Sequence, residues 1–333
     1  MRWALIGAST IAAQYMIRAL WAEGGEIVRV VSASAERGAS FAAMHGIPLS
    51  GITVEEAVAD PDVDAVYIST TNEKHLPQAL AAIAAGKHVL CEKPLAMSLA
   101  DAVSMVRAAE EKSVVFATNH HLRCSGSHRA VQSLIRDGRI GRVLSLRVHH
   151  AVHLPENLQG WRINSPAAGG GVIPDITVHD ADVVRFLTGE DPKTVVAQMA
   201  ASGLGQGVED SVMSVWTMPS GVMVMSHESF THPFAGTGLE VHGTEGSIFA
   251  RGVMTQNPVG EIELVTAAGR EPVAYDPHDL YGEAVRRFHA AVAGHGGPAA
   301  TGWDGVKSLA VALAVREAAL TGAAVDVDYG GAK

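Results

Sequence analysis

The chain has 333 residues, 47% of them apolar and 18% charged, with a formal net charge of −10 at pH 7. That length suits two domains and a large buried core, and the apolar content without a long charged block excludes a disordered chain. The acidic balance excludes a general nucleic-acid surface, which needs a net basic face, while leaving room for a small basic pocket around one phosphate.

The chain opens on one basic residue and an apolar stretch from Trp3 to Gly7, too short for a signal peptide and running into polar Ser9 and Thr10. No later segment offers ~18 uninterrupted apolar residues, so no membrane span is expected. Cys91 and Cys124 are too sparse for a disulfide scaffold and read as reduced thiols. The expectation is a cytoplasmic protein with no membrane and no nucleic-acid partner.

Short β-branched runs at 3–6, 27–31, 65–68, 88–91 and 114–117 predict strands, and Ala-rich stretches at 11–21, 76–85 and 99–110 predict helices between them. Alternation of this kind, with strands apolar along their whole length, indicates a parallel sheet covered by helices. Beyond residue 120 the pattern changes. A basic helical segment at 127–136 leads through Gly138-Arg139-Ile140-Gly141 into a strand at 143–152, and a helix follows at 173–187. Alternating strands come next at 195–200, 211–217, 223–227, 238–242 and 247–250, separated by Gly and Pro turns, as in a largely antiparallel sheet. Helices at 283–293 and 305–320 close the chain. The fold class is α/β: a doubly wound parallel sheet over residues 1–120, then an α+β domain over 121–333 built on a large, mainly antiparallel sheet. The last helices are free to pack back on the first domain.

Gly7-Ala8-Ser9-Thr10-Ile11-Ala12 follows the first strand and opens the first helix. It is a degenerate dinucleotide fingerprint. Gly7 permits the tight turn, Ser9 is small enough for backbone to approach a pyrophosphate, and Ala12 lets the helix sit close to the sheet. The helix N-terminus offers N–H groups to the phosphates. At the end of the second strand, where an NAD site carries Asp or Glu, the chain has Ser32-Ala33-Ser34-Ala35-Glu36-Arg37. Ser34 and Glu36 read as a helix-capping pair. Ser32 leaves space for a 2′-phosphate and Arg37 offers it a charge-assisted contact, so the cofactor expected is NADP(H).

Cys91-Glu92-Lys93-Pro94 ends the strand expected at 88–91, and Lys93 therefore falls beyond the carboxyl end of a parallel strand, where ligands gather. Pro94 restricts Lys93 and suits a cis bond. The second element is Gly169-Gly170-Gly171, entering a helix that carries Asp175 and His179 four residues apart, on one helical face. Reducing a ketone needs a hydride donor, a proton donor and stabilisation of charge on oxygen. His179 titrates in the right range to be the acid. Lys93 suits the developing alkoxide, and Asp175 either orients the imidazole or bonds a substrate hydroxyl.

These motifs, in this order and over essentially the whole chain, resemble the glucose–fructose oxidoreductase/inositol dehydrogenase family. Further segments draw the resemblance to a reductase branch: Ser34-Ala35-Glu36-Arg37-Gly38, Thr70-Thr71-Asn72-Glu73, Thr118-Asn119-His120-His121-Leu122-Arg123, Leu158-Gln159-Gly160-Trp161-Arg162 and Glu240-Val241-His242-Gly243-Thr244-Glu245-Gly246. The branch has the same departure at Ser9 from the usual second glycine. The resemblance implies a Rossmann domain and NADPH-dependent reduction of the C2 ketone of 1,5-anhydro-D-fructose to 1,5-anhydro-D-mannitol. It implies cofactor contacts from Ser9, Thr10, Ile11, Ser32, Arg37, Thr71, Asn72, His75, Glu92, Lys93, Asn119, Trp161, Arg162 and Tyr281. It makes Lys93, Asp175 and His179 the catalytic group. Two other readings stand beside it: a dehydrogenase of inositol or another polyol, and a dinucleotide-sensing regulator without catalysis, against which the intact Lys93, Asp175 and His179 set argues. The open sheet leaves a monomer or a homo-oligomer formed through its face.

Sixteen histidines raise the question of a metal, but none of His120-His121, the group His149, His150 and His153, and His179-Asp180 with Asp182 has a zinc-binding helical spacing, and no metal is expected. Met213, Met218, Met223, Met225 and Trp216 lie in apolar strands and read as sheet-packing residues.

Overall fold

The computed structural model describes residues 1–332. They divide into two compact units, one of residues 1–121, 281–306 and 332, the other of 122–280 and 307–331.

The first unit is built on six parallel strands, β1 (Arg2–Ile6), β2 (Glu26–Val31), β3 (Leu49–Gly51), β4 (Ala65–Ile68), β5 (His88–Cys91) and β6 (Phe116–Thr118), in the order β3-β2-β1-β4-β5-β6. Trp3 to Ile6 and all four residues of β4 are fully buried, which is why these strands are apolar throughout rather than alternating. Strand order reverses between β1 and β4, and the crevice beyond their carboxyl ends is where ligands bind in sheets of this kind.

The helix after β1 starts with a wider π turn, Ala12–Met16, and continues as α1 (Ile17–Ala22). Then come α2 (Ala35–Met44), α3 (Val54–Ala59), α4 (His75–Ala84) and α5 (Leu99–Lys112). Only the cap at Ser34 announces α2, and α3 is not announced at all: α2 buries only Gly38 and Ala42, too little apolar surface for a visible helical period. The strand expected at 114–117 starts two residues later and ends one later, as β6. Its limits are set by the ladder to β5, in which Val89, Leu90 and Cys91 face Phe116, Ala117 and Thr118. Residues 281–306 close this unit. Trp3 packs against Phe288 in a tilted ring pair at 5.1 Å, and the Thr118 amide donates to the Ala300 carbonyl at 3.2 Å.

The second unit holds α6 (Gly126–Arg136), α7 (Gly160–Asn164), α8 (Val178–Thr188) and a nine-stranded sheet. Its strands are β7 (Val143–Ala151), β8 (Thr194–Ala200), β9 (Ser211–Thr217), β10 (Met223–Ser229), β11 (Thr237–Gly243), β12 (Gly246–Arg251), β13 (Glu261–Thr266), β14 (Gly269–Pro272) and β15 (Val325–Asp326). They lie in the order β14-β13-β12-β11-β7-β10-β9-β8-β15. Every pair is antiparallel except β7 with β10, which run parallel at the centre with His150 opposite Glu228. Two further helices, α9 (Leu280–Val292) and α10 (Gly302–Thr321), complete the chain, and a unit boundary falls inside α10 at residue 306.

Strand alternation corrects one expectation. Trp216 and Met218 are buried, but Met213, Met223 and Met225 are 55%, 57% and 49% exposed. Period-two alternation sends them, with Val215, to the face opposite Val212, Ser214, Trp216 and Val224.

Candidate functional site

In the first unit, Gly7 ends β1 at φ +116°, a conformation that disfavours any side chain, and its amide donates to the Val31 carbonyl at 2.9 Å. A Cβ there would lie 3.1 Å from the Ser69 carbonyl carbon and 3.2 Å from Thr70 Cγ2. Residue 7 thus keeps the space between the ends of β1 and β4 open. Ser9 Oγ accepts from the Ala12 amide at 3.2 Å and shares a 2.7 Å hydrogen bond with Ser69 Oγ, so Ser9 caps the helix that starts at Thr10. Ile11 is partly exposed within that first turn, whereas Ala12 is fully buried against the sheet.

Ser32 is buried at the end of β2, and Ser34 caps α2 by accepting from the Arg37 amide at 3.3 Å. The Arg37 side chain turns back to the first strand's loop, where Nη2 donates to the Ala8 carbonyl at 2.5 Å. A guanidinium therefore stands beside the Gly7–Ser9 turn, with a buried hydroxyl rather than a carboxylate at the neighbouring strand end.

Thr71, Asn72 and His75 follow β4, where Asn72 opens a short 3₁₀ turn. His75 is fully buried; its Nδ1 lies 2.8 Å from the Pro94 carbonyl and its Nε2 3.2 Å from the Thr70 carbonyl, tying the loop after β4 to the loop after β5. Burial pulls its pKa down, so the ring is neutral at pH 7 and donates from one nitrogen only. Lys93 and Pro94 are joined by a cis peptide bond. The Glu92 Oε1 accepts from Tyr67 OH and Asn119 Nδ2, both at 2.6 Å, and burial raises its pKa against those two bonds and Lys93. Tyr281, also fully buried, stacks between Tyr15 at 5.0 Å and His121 at 4.9 Å. Tyr67 and the Tyr15–Tyr281–His121 stack carry no sequence signal. A strand tyrosine looks like any core aromatic until its hydroxyl meets a partner.

In the second unit, Gly169 (φ +85°), Gly170 and Gly171 (φ +116°) form a turn that side chains would break. A Cβ on Gly171 would fall 2.4 Å from Glu209 Oε1, and one on Gly170 would fall 2.6 Å from the Trp161 carbonyl. Glu209 anchors the helix that follows: its carbonyl accepts from Val172 N at 3.0 Å and its carboxylate from Ile173 N at 3.3 Å. That helix starts with a second π turn, Ile173–Thr177, before α8. Asp175 lies in the π turn and His179 in the first turn of α8, so the wider i→i+5 winding, and not the α spacing assumed from sequence, sets their relation. Both are buried. Arg162 Nε donates to Asp175 Oδ2 at 3.2 Å, Arg162 Nη1 donates to the Leu158 carbonyl at 3.2 Å, and the guanidinium lies over the Trp161 ring at 4.7 Å. This pairing holds Asp175 beside a fixed cation, and the sequence pattern gave no sign of it.

The expected residues thus form two groups. Gly7 to Ala12, Ser32, Arg37, Thr71, Asn72, His75, Glu92, Lys93, Asn119 and Tyr281 belong to the first unit, and Trp161, Arg162, Asp175 and His179 to the second.

Residues 1–120 match the model of an oxidoreductase family with an NAD-binding Rossmann fold, and residues 128–249 match the GFO/IDH/MocA C-terminal domain. The chain is 57% identical over 330 residues to the 1,5-anhydro-D-fructose reductase of Ensifer adhaerens, covering 99% of both chains. The aldose-aldose oxidoreductase of Caulobacter crescentus, solved with glycerol, superposes with a TM-score of 0.90 at 26% identity, over 98% of this chain and 99% of that one. A levoglucosan dehydrogenase solved with NADH and levoglucosan has the same fold, with a TM-score of 0.89 at 24% identity over 98% and 99% of the two chains.

Proposed function

The chain belongs to the GFO/IDH/MocA family and is a nicotinamide-dinucleotide-dependent oxidoreductase acting on a carbohydrate; from that premise we propose that it reduces the C2 ketone of 1,5-anhydro-D-fructose to 1,5-anhydro-D-mannitol with NADPH. The observation that carries the substrate is the near full-length similarity to an anhydrofructose reductase. The preference for NADPH rests on Arg37 beside the Ala8 carbonyl, with Ser32 where an NAD site would carry an acid.

The residues fit a dinucleotide. Gly7 holds a cradle open that a Cβ would crowd, and the helix starting at Thr10 presents its N-terminus to the pyrophosphate. We assign binding to Gly7, Ser9, Thr10, Ile11, Ala12, Ser32, Arg37, Thr71, Asn72, His75, Glu92, Lys93, Asn119, Trp161, Arg162 and Tyr281. Glu92 and His75 act here by fixing the loops after β4 and β5 through Tyr67, Asn119 and the Pro94 carbonyl. When bound, the nicotinamide supplies the hydride. Lys93 stabilises the negative charge that develops on the carbonyl oxygen, and His179 gives that oxygen its proton. Asp175, held by Arg162, bonds a substrate hydroxyl or the imidazole and so sets the direction of transfer.

We further assign the dinucleotide-binding domain to residues 1–120 and the substrate domain to 121–333, in the cytoplasm. Any self-association is assigned to the exposed sheet face around Met213, Met223 and Met225.

The test is a spectrophotometric assay of 1,5-anhydro-D-fructose with NADPH and with NADH, run beside myo-inositol with NAD⁺ and NADP⁺. Preferred consumption of NADPH with the anhydro sugar is the expected result. Faster turnover of inositol would replace the reading with a polyol dehydrogenase, and tight NADPH binding without turnover of any sugar ketone would overturn the assigned reaction.

A further inference from the structure

Directly behind His179, in the second unit, lies a group of buried polar side chains that the proposed reaction does not use. Asp180, the next residue in α8, and Glu228 in β10 are both fully buried. Both Asp180 oxygens and Glu228 Oε2 lack a protein donor, while Glu228 Oε1 accepts from Ser226 Oγ. No Lys or Arg is paired with either carboxyl group among the described residues. Instead the two carboxyl groups neighbour each other closely enough to act on each other electrostatically. Two carboxylates are acceptors only, so they bond to each other only when one of them carries a proton.

His150 in β7 completes the group. It faces Glu228 across the parallel β7–β10 ladder, and its Nδ1 is 3.4 Å from Asp180 Oδ1. Its ring centre is 6.4 Å from that of His179. On the α6 side the neighbouring titratable group is His128, which burial pulls down to about 3 and keeps neutral. His150 thus faces the acid pair and stands beside His179, between the two. Burial raises the pKa of both Asp180, to about 8, and Glu228, which the adjacent Asp180 carboxyl pushes further. The pair thus rests with one proton at pH 7 and stands without it at rest only in alkali.

We propose that Asp180 and Glu228 store one shared proton behind His179 and, through His150, return a proton to His179 after each reduction. The inference rests on His179 being the proton donor. Each turnover moves one proton from His179 to the product oxygen and leaves the imidazole neutral. The acid pair gives its shared proton to His150, which passes one to His179 by rotating or over one water, and water then reprotonates the pair. No redox step is involved, and the proton count closes with one solvent proton consumed per ketone reduced. Asp180, Glu228 and His150 are positioning and relay residues rather than catalytic ones, since they act on substrate only through His179.

Glu228→Gln and Asp180→Asn keep the size and one hydrogen bond across the pair but cannot hand over its proton. The experiment is stopped-flow NADPH oxidation with 1,5-anhydro-D-fructose at pH 7 and pH 8.5 in dilute buffer, with and without added imidazole. In each variant the first turnover should match the unmodified enzyme, giving a burst of one NADPH per site. Steady turnover at pH 7 should then be slower by at least about tenfold, with KM for the sugar unchanged and imidazole restoring the rate, and the difference should narrow at pH 8.5, where the unmodified pair has also lost its proton. Slowing of the first turnover and the steady state alike, without imidazole rescue, assigns the pair a structural role and overturns the proposal, as does full steady activity in dilute buffer. If either variant fails to fold, His150→Asn is measured in the same way, and a missing burst there is equally decisive. His179→Ala separates the two readings: if it retains turnover the donor assignment fails, whereas if it is inactive while Glu228→Gln is normal only the relay fails.

Discussion

Asp210 gives the sharpest test of how the loop between β8 and β9 is held, and through Glu209 of how the helix carrying His179 is placed. The carboxylate is fully buried, and its two oxygens accept five hydrogen bonds. Oδ1 takes the Ser202 amide and hydroxyl at 2.7 and 2.8 Å, and Oδ2 takes the amides of Gly203, Leu204 and Gly205 at 2.9, 2.8 and 2.8 Å. Burial alone would raise its pKa; these donors outweigh burial and lower it from 3.8 to about 2. A folded-state pKa below the unfolded value stabilises the protein above the unfolded pKa, and the gain is lost as pH falls through about 2. At 1.36 kcal/mol per unit the gain is about 2.5 kcal/mol at neutral pH, and about half of it is gone by pH 3. Asp210→Asn removes the charge and turns an NH₂ toward backbone donors, so the loss at pH 7 should be about 3 kcal/mol. Urea denaturation of both proteins at pH 7 and pH 3 reads this directly. The gap between them should shrink by about 1 kcal/mol in acid. A gap below about 1 kcal/mol at pH 7, or one that does not change with pH, would show that the five donors are not what holds this carboxylate.

Three further outcomes follow from the same geometry. Arg37→Ala should raise Kd for NADPH by roughly 10- to 100-fold, the worth of one or two charge-assisted bonds, while leaving NADH nearly unaffected; fluorescence titration with both cofactors would refute the 2′-phosphate role if they weaken equally. Gly7→Ala places a Cβ 3.1 Å from the Ser69 backbone at φ +116°, so it should cost about 1–3 kcal/mol of stability in thermal unfolding and abolish measurable dinucleotide binding. Arg162→Ala removes the guanidinium that donates to Asp175. It should lower kcat/KM for the sugar by at least about tenfold, and a variant with unchanged kinetics would mean that Asp175 needs no fixed cation.

Much of the fold is legible in the residue pattern, and the failures have physical causes. β4, β5 and β9 lie at the expected residues because a fully buried strand must be apolar throughout and a half-buried one must alternate. β14 and β15 leave no such trace: the four residues of β14 are all exposed, and β15 has only two residues, so neither presents an apolar face to read. The parallel pairing of β7 with β10 is equally invisible, because alternation reports which face is buried and not which strand lies alongside.

The candidate site divides in the same way. By itself the sequence determines where the backbone must bend sharply and which chemistry each strand end offers. Gly7 and Gly171 both sit at φ +116°, where other residues are strained, and Lys93 follows a buried strand at the ligand end of the sheet. Only the tertiary structure decides what each acid is for. Asp175 meets Arg162, Asp180 meets Glu228 and His150, and Asp210 meets five donors of its own loop. In sequence Asp175 shows only its spacing from His179, and Asp180 and Asp210 show no role at all. Their protonation depends on burial and on the sign of the nearest group, and both are fixed by strand order and packing rather than by neighbours along the chain.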